Sequence, residues 1–258
     1  MTAPAPAGGR PTLVLLHGVG ADVRMFDPVI APLAAVADVL PWNLPGYGGR
    51  PLDGPLTFEG LARDLIDELD RRGVDRAVVL GHSIGGMVAQ EFAARHPDRL
   101  AALVLSATTP AFGSRDGAFQ ATFLKTRLAP LDAGATMPEL AARFVQSLVG
   151  PAAAPDAAPA ATALMASLPE ASFRAGLECL VTFDRRDDLA HIAVPTLLVA
   201  GEADTNAPLK TMTRMAETIP AARLVVLPGI GHLAPLECPG AFAAAVEDFL
   251  ATLTGDAR

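Results

Sequence analysis

The sequence predicts an α/β fold, in which a mostly parallel sheet of about six strands is covered by helices on both faces. Short apolar runs rich in Val, Leu and Ala recur along the chain, and stretches with apolar residues at helical spacing separate most of them. Strands that alternate with helices form parallel sheets through right-handed crossovers. The chain has 258 residues, of which 51% are apolar, and this suffices for one domain whose sheet is buried on both faces.

The predicted strands are apolar runs of four to six residues, and they occupy 13–16, 37–42, 77–80, 101–105, 196–200 and 223–227. Helices are predicted between and after them at about 23–36, 57–72, 83–96, 206–218 and 239–253. Ligands of parallel α/β sheets bind outside the carboxyl ends of the strands. We therefore expect the functional site at that edge of the sheet.

One interval is too long for a simple crossover, because no strand is predicted from residue 109 to about 193. A loop of this length must carry its own structure. We interpret 109–193 as a helical cap inserted in a core of residues 11–108 and 194–254, with residues 1–10 as a flexible tail. Helical patterns in the cap lie near 114–128, 137–149, 158–167 and 170–183. Its large apolar side chains are expected to line or support an apolar pocket, and they are Phe112, Phe119, Phe123, Phe144, Phe173, Phe183, Met137 and Met165.

The most informative motif is Gly81-His82-Ser83-Ile84-Gly85, which lies between a predicted strand and a predicted helix. A sharp strand–turn–helix exposes a serine hydroxyl at the edge of the sheet, and glycines two residues to either side let the neighbouring backbone pack closely. The motif predicts Ser83 as a nucleophile. The adjacent His82 is expected to point away from it.

A nucleophilic serine needs a base and a group that orients the base. His232 lies in a glycine-rich loop just after the last predicted strand, at the same sheet edge as Ser83, and is the predicted base. The acid is expected between them in the chain. Asp204 follows the strand at 196–200 and is the predicted acid, with Glu202 as the alternative.

The turn His17-Gly18-Val19-Gly20 follows the first predicted strand. Its glycines let a backbone N–H face a developing oxyanion, and the second donor would be the N–H of the residue after the nucleophile. The predicted oxyanion donors are therefore the backbone N–H groups of Val19 and Ile84.

Taken in this order, these motifs resemble the α/β-hydrolase superfamily over nearly the whole chain. The similar segments are Leu16-His17-Gly18, Leu44-Pro45-Gly46-Tyr47-Gly48, Gly81-His82-Ser83-Ile84-Gly85-Gly86, His96-Pro97-Asp98-Arg99-Leu100, Gly201-Glu202-Ala203-Asp204 and Gly231-His232. The chain looks most like small bacterial members of the 3-oxoadipate enol-lactonase and carboxylesterase type. The resemblance implies an α/β-hydrolase fold, with the family's N-terminal hairpin reduced or absent, and cleavage of a small ester or lactone through an acyl-serine.

Two other functions stay open on the same motifs. One is hydrolysis of a carbon–carbon bond in a dienoate-type diketone. The other belongs to a different class: a ligand receptor of this fold with little turnover. The resemblance leaves the substrate undefined. Arg185 and Arg186 lie in a segment that is most often a solvated helix end, and the alternative is that their charges bind the carboxylate of an anionic substrate.

Composition narrows the choice of partners and compartment. A net charge of −8 disfavours nucleic acid and anionic membrane surfaces, so a small-molecule substrate is expected. The first ten residues lack the basic start and apolar core of a signal peptide, and no apolar run is long enough to span a bilayer, which favours the cytoplasm. Two isolated cysteines make neither a disulfide framework nor a metal site. We expect no cofactor and no metal, and a homo-oligomer stays open.

Overall fold

A computed structural model describes residues 10–255, and most of the tail expected at residues 1–10 lies outside that range. Six parallel strands form one sheet in the order β2-β1-β3-β4-β5-β6. The strands are β1 (Thr12–Leu16), β2 (Asp38–Trp42), β3 (Ala77–His82), β4 (Leu100–Ser106), β5 (Thr196–Gly201) and β6 (Ala222–Leu227). The predicted parallel sheet is confirmed, with each strand within two residues of its predicted bounds.

Burial on both faces explains why these runs become strands. Every residue of β3 and of β5 is buried, as expected for central parallel strands that are covered on both sides. The covering helices are α1 (Asp27–Val36), α2 (Phe58–Arg71), α3 (Ile84–Arg95), α8 (Leu209–Thr218) and α10 (Pro239–Gly255). A 3₁₀ turn at Val23–Phe26 precedes α1, and a short helix α9 (Ala234–Glu237) precedes α10. No helix between residues 10 and 255 combines the length and apolar composition that a bilayer crossing requires.

The chain between β4 and β5, called here the helical insertion (107–195), contributes no strand to the sheet. Its helices are α4 (Ala118–Asp132), α5 (Met137–Phe144), α6 (Ala157–Ala166) and α7 (Glu170–Leu180). The first of them begins four residues later than the predicted helix near 114–128. Gly117 precedes it with a left-handed φ of 77°, a conformation that a right-handed helix cannot include.

A buried carboxylate joins the helical insertion to the loop after β6. Glu237 is 1% exposed. One of its oxygens accepts hydrogen bonds from the N–H groups of Gly150 (2.8 Å) and Gly231 (2.7 Å), and the other accepts from Leu233 N–H (2.7 Å). The peptide N–H groups on either side of residue 232 are thus held by one side chain, so the carboxylate determines the path of the backbone there.

We predict that Glu237→Gln lowers the free energy of unfolding by about 2–4 kcal/mol, because the amide places a donor against buried N–H groups that need an acceptor. Urea unfolding followed by circular dichroism measures the change. The matched control is Glu178→Gln on an exposed face of α7, which should shift stability by less than about 0.5 kcal/mol. Equal stability of the two variants would show that the Glu237 contacts contribute nothing.

Candidate active site

Ser83 occupies a sharp turn between β3 and α3, with φ 55° and ψ −119°. Few non-glycine residues adopt this conformation, and it persists only where surrounding contacts impose it. A Cβ at Gly81 would overlap the carbonyl oxygen of Gly85, and a Cβ at Gly85 would overlap the carbonyl oxygen of Leu16. The two glycines of the motif are therefore required by close backbone packing, as the sequence indicates.

Hydrogen bonds from β4 and the residues after it hold the turn in place. The Ser83 N–H donates to the carbonyl of Ser106 (2.9 Å), and the Thr108 hydroxyl donates to the carbonyl of Ser83 (2.8 Å). Both backbone groups of the strained residue are thereby satisfied. The side chain lines an internal cavity.

The loop after β6 brings His232 to Ser83. The His232 Nε2 lies 3.1 Å from the Ser83 Oγ, and the His232 Nδ1 lies 2.8 Å from an Asp204 carboxylate oxygen. A carboxylate only accepts hydrogen bonds, so Nδ1 carries the proton and Nε2 is left to accept from the serine hydroxyl. The ends of β3, β5 and β6 thus deliver a continuous hydrogen-bonded chain of three side chains.

Asp204 is buried, and its second oxygen accepts hydrogen bonds from the N–H groups of Asn206 (2.8 Å) and Ala207 (3.1 Å). Burial alone raises the pKa of this carboxyl. The charge interaction and hydrogen bond with His232, together with the two N–H groups, outweigh burial and hold the pKa below its ordinary value. The alternative acid, Glu202, is exposed and accepts instead from Gly229 N–H (2.9 Å).

The N–H groups predicted as oxyanion donors belong to Val19 and Ile84, which lie near Ser83 in different ways. Val19 lines the same cavity as Ser83, and Ile84 is the first residue of α3, whose N–H has no partner within the helix. Across residues 10–255, neither backbone N–H donates a hydrogen bond to another protein group. Both N–H groups thus lack a protein acceptor, but only Val19 lines the cavity, and their role as oxyanion donors stays a prediction.

Two residues that support the Val19 turn received no role in the sequence analysis. His17 accepts from Leu44 N–H (3.1 Å) through Nε2, so its Nδ1 donates to the Gly18 carbonyl (2.9 Å). Burial lowers the pKa of His17 to about 4, which keeps the ring neutral as this arrangement needs. The Tyr47 hydroxyl lies 3.2 Å from the Val19 carbonyl oxygen. In the sequence, both residues lie in segments that resemble the α/β-hydrolase superfamily, His17 in 16–18 and Tyr47 in 44–48.

His82 lies closer to the site than expected. Its ring centroid is 5.3 Å from that of His232, and its Nδ1 lies 3.1 Å from the Ser106 hydroxyl. Burial lowers the pKa of His82 to about 3, so the ring is neutral beside His232. It makes no hydrogen bond to Ser83, and it contributes part of the cavity wall.

The cavity has a volume of about 270 Å³ and lies between the sheet edge and the helical insertion. Its wall is mostly apolar, and the insertion supplies Phe112, Phe119, Phe123, Phe144 and Met165. The remaining large side chains of the predicted pocket, Phe173, Phe183 and Met137, are buried in the core and do not line it. Of the eight residues predicted to line or support an apolar pocket, five thus line the cavity and three pack in the core.

The two arginines suggested as an anion site lie elsewhere. Arg185 forms ion pairs with Glu91 (2.7 Å) and Asp188 (3.1 Å), and Arg186 pairs with Asp184 (2.8 Å). Neither lines the cavity of Ser83. Their charges are already matched by carboxylates, so in this structure they tie the insertion to α3 and to itself.

With the geometry established, comparison with known proteins places the chain in a family. A model of the alpha/beta hydrolase family matches residues 13–245. A pimeloyl-[acyl-carrier protein] methyl ester esterase of Aromatoleum aromaticum is 35% identical over 249 residues, which cover 93% of this chain and 98% of that protein.

Solved structures give the same result. A hydrolase from Pseudomonas aeruginosa matches with a TM-score of 0.84 and 32% identity, over 95% of this chain and 92% of that one. The enol-lactonase from Burkholderia xenovorans matches with a TM-score of 0.83 and 26% identity, over 96% of this chain and 94% of that one. Since the family model and these relatives each span nearly its whole length, the chain belongs to the alpha/beta hydrolase family.

Proposed function

We propose that this hydrolase cleaves a small carboxylic ester or lactone through an acyl intermediate on Ser83. His232 acts as the base, Asp204 as the acid that orients it, and the N–H groups of Val19 and Ile84 as the oxyanion hole. The observation that carries the proposal is the hydrogen-bonded chain Asp204–His232–Ser83, which opens on a cavity. The relatives named as esterases and an enol-lactonase support the choice of bond.

In the first half of the reaction, the Ser83 oxygen attacks the carbonyl carbon while His232 Nε2 takes the hydroxyl proton. The carbonyl oxygen becomes an oxyanion that the N–H groups of Val19 and Ile84 stabilise. When the carbon–oxygen bond to the alcohol breaks, His232 returns the proton to the leaving oxygen. The acyl group stays on Ser83.

In the second half, a water molecule attacks the acyl carbon and gives its proton to His232. The second oxyanion collapses, the bond to the Ser83 oxygen breaks, and His232 restores the proton to the serine. The carboxylic acid product then leaves. Through both halves the buried Asp204 carboxylate stabilises the imidazolium and keeps Nδ1 protonated.

The size and wall of the cavity favour a small substrate with an apolar part. A volume of about 270 Å³ lies just below the usual range of about 300–1,000 Å³ for ligand sites. We propose that residues 109–193 of the helical insertion act as a cap over a core of residues 11–108 and 194–254, because its phenylalanines enclose the space above Ser83. A panel of activated esters, lactones and vinylogous diketones tests the reaction type. If the diketones are turned over fastest, the reaction is hydrolysis of a carbon–carbon bond and the proposed ester cleavage is wrong.

We predict that Ser83→Ala lowers kcat by at least about 10³-fold on any ester that the wild type cleaves, because no other group can form the acyl intermediate. A fluorophosphonate probe should label the wild type and leave the variant unlabelled. The control is Ser114→Ala, an exposed serine of the insertion, with wild-type rates. Retention of more than about a tenth of wild-type activity by the Ser83 variant would refute the mechanism.

If the probe labels Ser83 but the wild type turns over no ester, the result favours the alternative function, a ligand receptor of this fold.

We predict that Asp204→Asn lowers kcat by roughly 10²–10⁴-fold, since the asparagine amide favours the wrong tautomer of His232. Glu202→Gln is the matched comparison two residues away and should change kcat by less than about threefold, because within residues 10–255 its exposed carboxylate accepts a hydrogen bond from Gly229 N–H alone. Steady-state kinetics on one activated ester measures both variants. The reverse order of effects would make Glu202 the acid.

A further inference from the structure

Arg127 of α4 lies in the wall of the cavity that Ser83 and His232 also line. It is half-buried, and its guanidinium carbon is 4.1 Å from the ring centroid of Phe144 and 5.3 Å from that of Phe123. Within the described residues 10–255, no hydrogen bond or ion pair involves its five donors. The residue is a cation held between two aromatic rings at the active-site cavity.

Four other arginines of the helical insertion pair with carboxylates, and a fifth, Arg143 of α5, is exposed to solvent. Those that pair with a carboxylate of the protein are Arg115, Arg174, Arg185 and Arg186. No aspartate or glutamate lines the cavity within residues 10–255, so the protein supplies no counter-charge beside Arg127. The cavity therefore presents one guanidinium and no anion.

Leaving this cation unpaired is unfavourable in the unliganded protein. Burial lowers the pKa of Arg127, which reflects the cost of taking its charge out of water. The rings of Phe123 and Phe144 offset part of that cost through cation–π contacts. The rings also fix the orientation of the planar guanidinium. A guanidinium held in this way is suited to bidentate hydrogen bonding with a carboxylate.

We propose that Arg127 binds a carboxylate at the far end of the substrate's acyl group, so that the substrate is a half-ester of a dicarboxylic acid or a lactone bearing a carboxylate. The inference rests on the proposed acyl transfer to Ser83 and names its substrate class. The ester carbon lies at Ser83, the apolar chain runs along the phenylalanines, and the carboxylate pairs with the guanidinium. Because the acyl group remains in the cavity after the alcohol leaves, this contact positions it through both halves of the reaction.

The test compares monomethyl with dimethyl esters of straight-chain acids from succinic to suberic acid. The wild type should prefer the monoester at its best chain length. Arg127→Met should lower kcat/KM for that monoester by about 10- to 100-fold, because a charge-assisted bidentate contact is lost. The dimethyl ester should change by less than about threefold. Arg127→Lys should keep part of the preference for the monoester, since lysine retains the positive charge but lacks the paired N–H donors of the guanidinium.

Lys125→Met is the matched control, because it removes one positive charge from an exposed position on the same helix. It should leave both kcat/KM values within about twofold of the wild type. Equal losses on the monoester and the diester in Arg127→Met would show that Arg127 only packs against the rings, and would overturn the inference. A wild type that prefers the diester would overturn it as well. If Arg127→Met does not fold, Arg127→Gln takes its place.

A binding measurement separates this inference from the proposed chemistry. Calorimetry on Ser83→Ala with monomethyl adipate should give an affinity about 10- to 100-fold tighter than on the Ser83→Ala/Arg127→Met double variant. Equal affinities would overturn the role of Arg127. If the affinities differ but the wild type cleaves no ester, Arg127 is a carboxylate site and the proposed acyl transfer is wrong.

Discussion

The site depends on one interaction, the hydrogen bond between the buried Asp204 carboxylate and His232 Nδ1. It determines which ring nitrogen carries the proton, and with it whether Nε2 can accept from Ser83. The carboxylate stays ionised although it is buried, because His232 and two backbone N–H groups surround it. Without an acceptor at this position, neither the orientation nor the tautomer of the His232 ring would be fixed.

The fold supports this interaction from several directions at once. The strained turn of Ser83 is tied to β4 through Ser106 and to the following residues through Thr108. Glu237 holds the peptide groups on both sides of His232 and connects them to the helical insertion. A reactive arrangement that is costly by itself is thus imposed by buried hydrogen bonds from distant parts of the chain.

The sheet and the position of the site could be read from the sequence because both follow from local patterns. Strands buried on two faces appear as continuous apolar runs, and strand ends place Ser83, Asp204 and His232 at one edge. What could not be read depends on contacts between distant segments. The pairing of Arg185 with Glu91 and the contacts of Arg127 with two aromatic rings both arise from how the insertion packs. Sequence order carries no signal for that packing, so the sequence pointed to Arg185 and Arg186 and gave no reason to consider Arg127.

In the proposed mechanism, an acyl group is carried on Ser83 between two separate steps. The most direct measurement uses several esters that share one acyl group and differ in the leaving alcohol, hydrolysed in the presence of hydroxylamine. A common acyl-enzyme must divide between water and hydroxylamine in the same proportion, whatever alcohol has left. An acyl-Ser83 intermediate should give one constant ratio of carboxylic acid to hydroxamate across the series. A ratio that changes with the alcohol would show that water attacks the ester directly, and would contradict the acyl-serine mechanism.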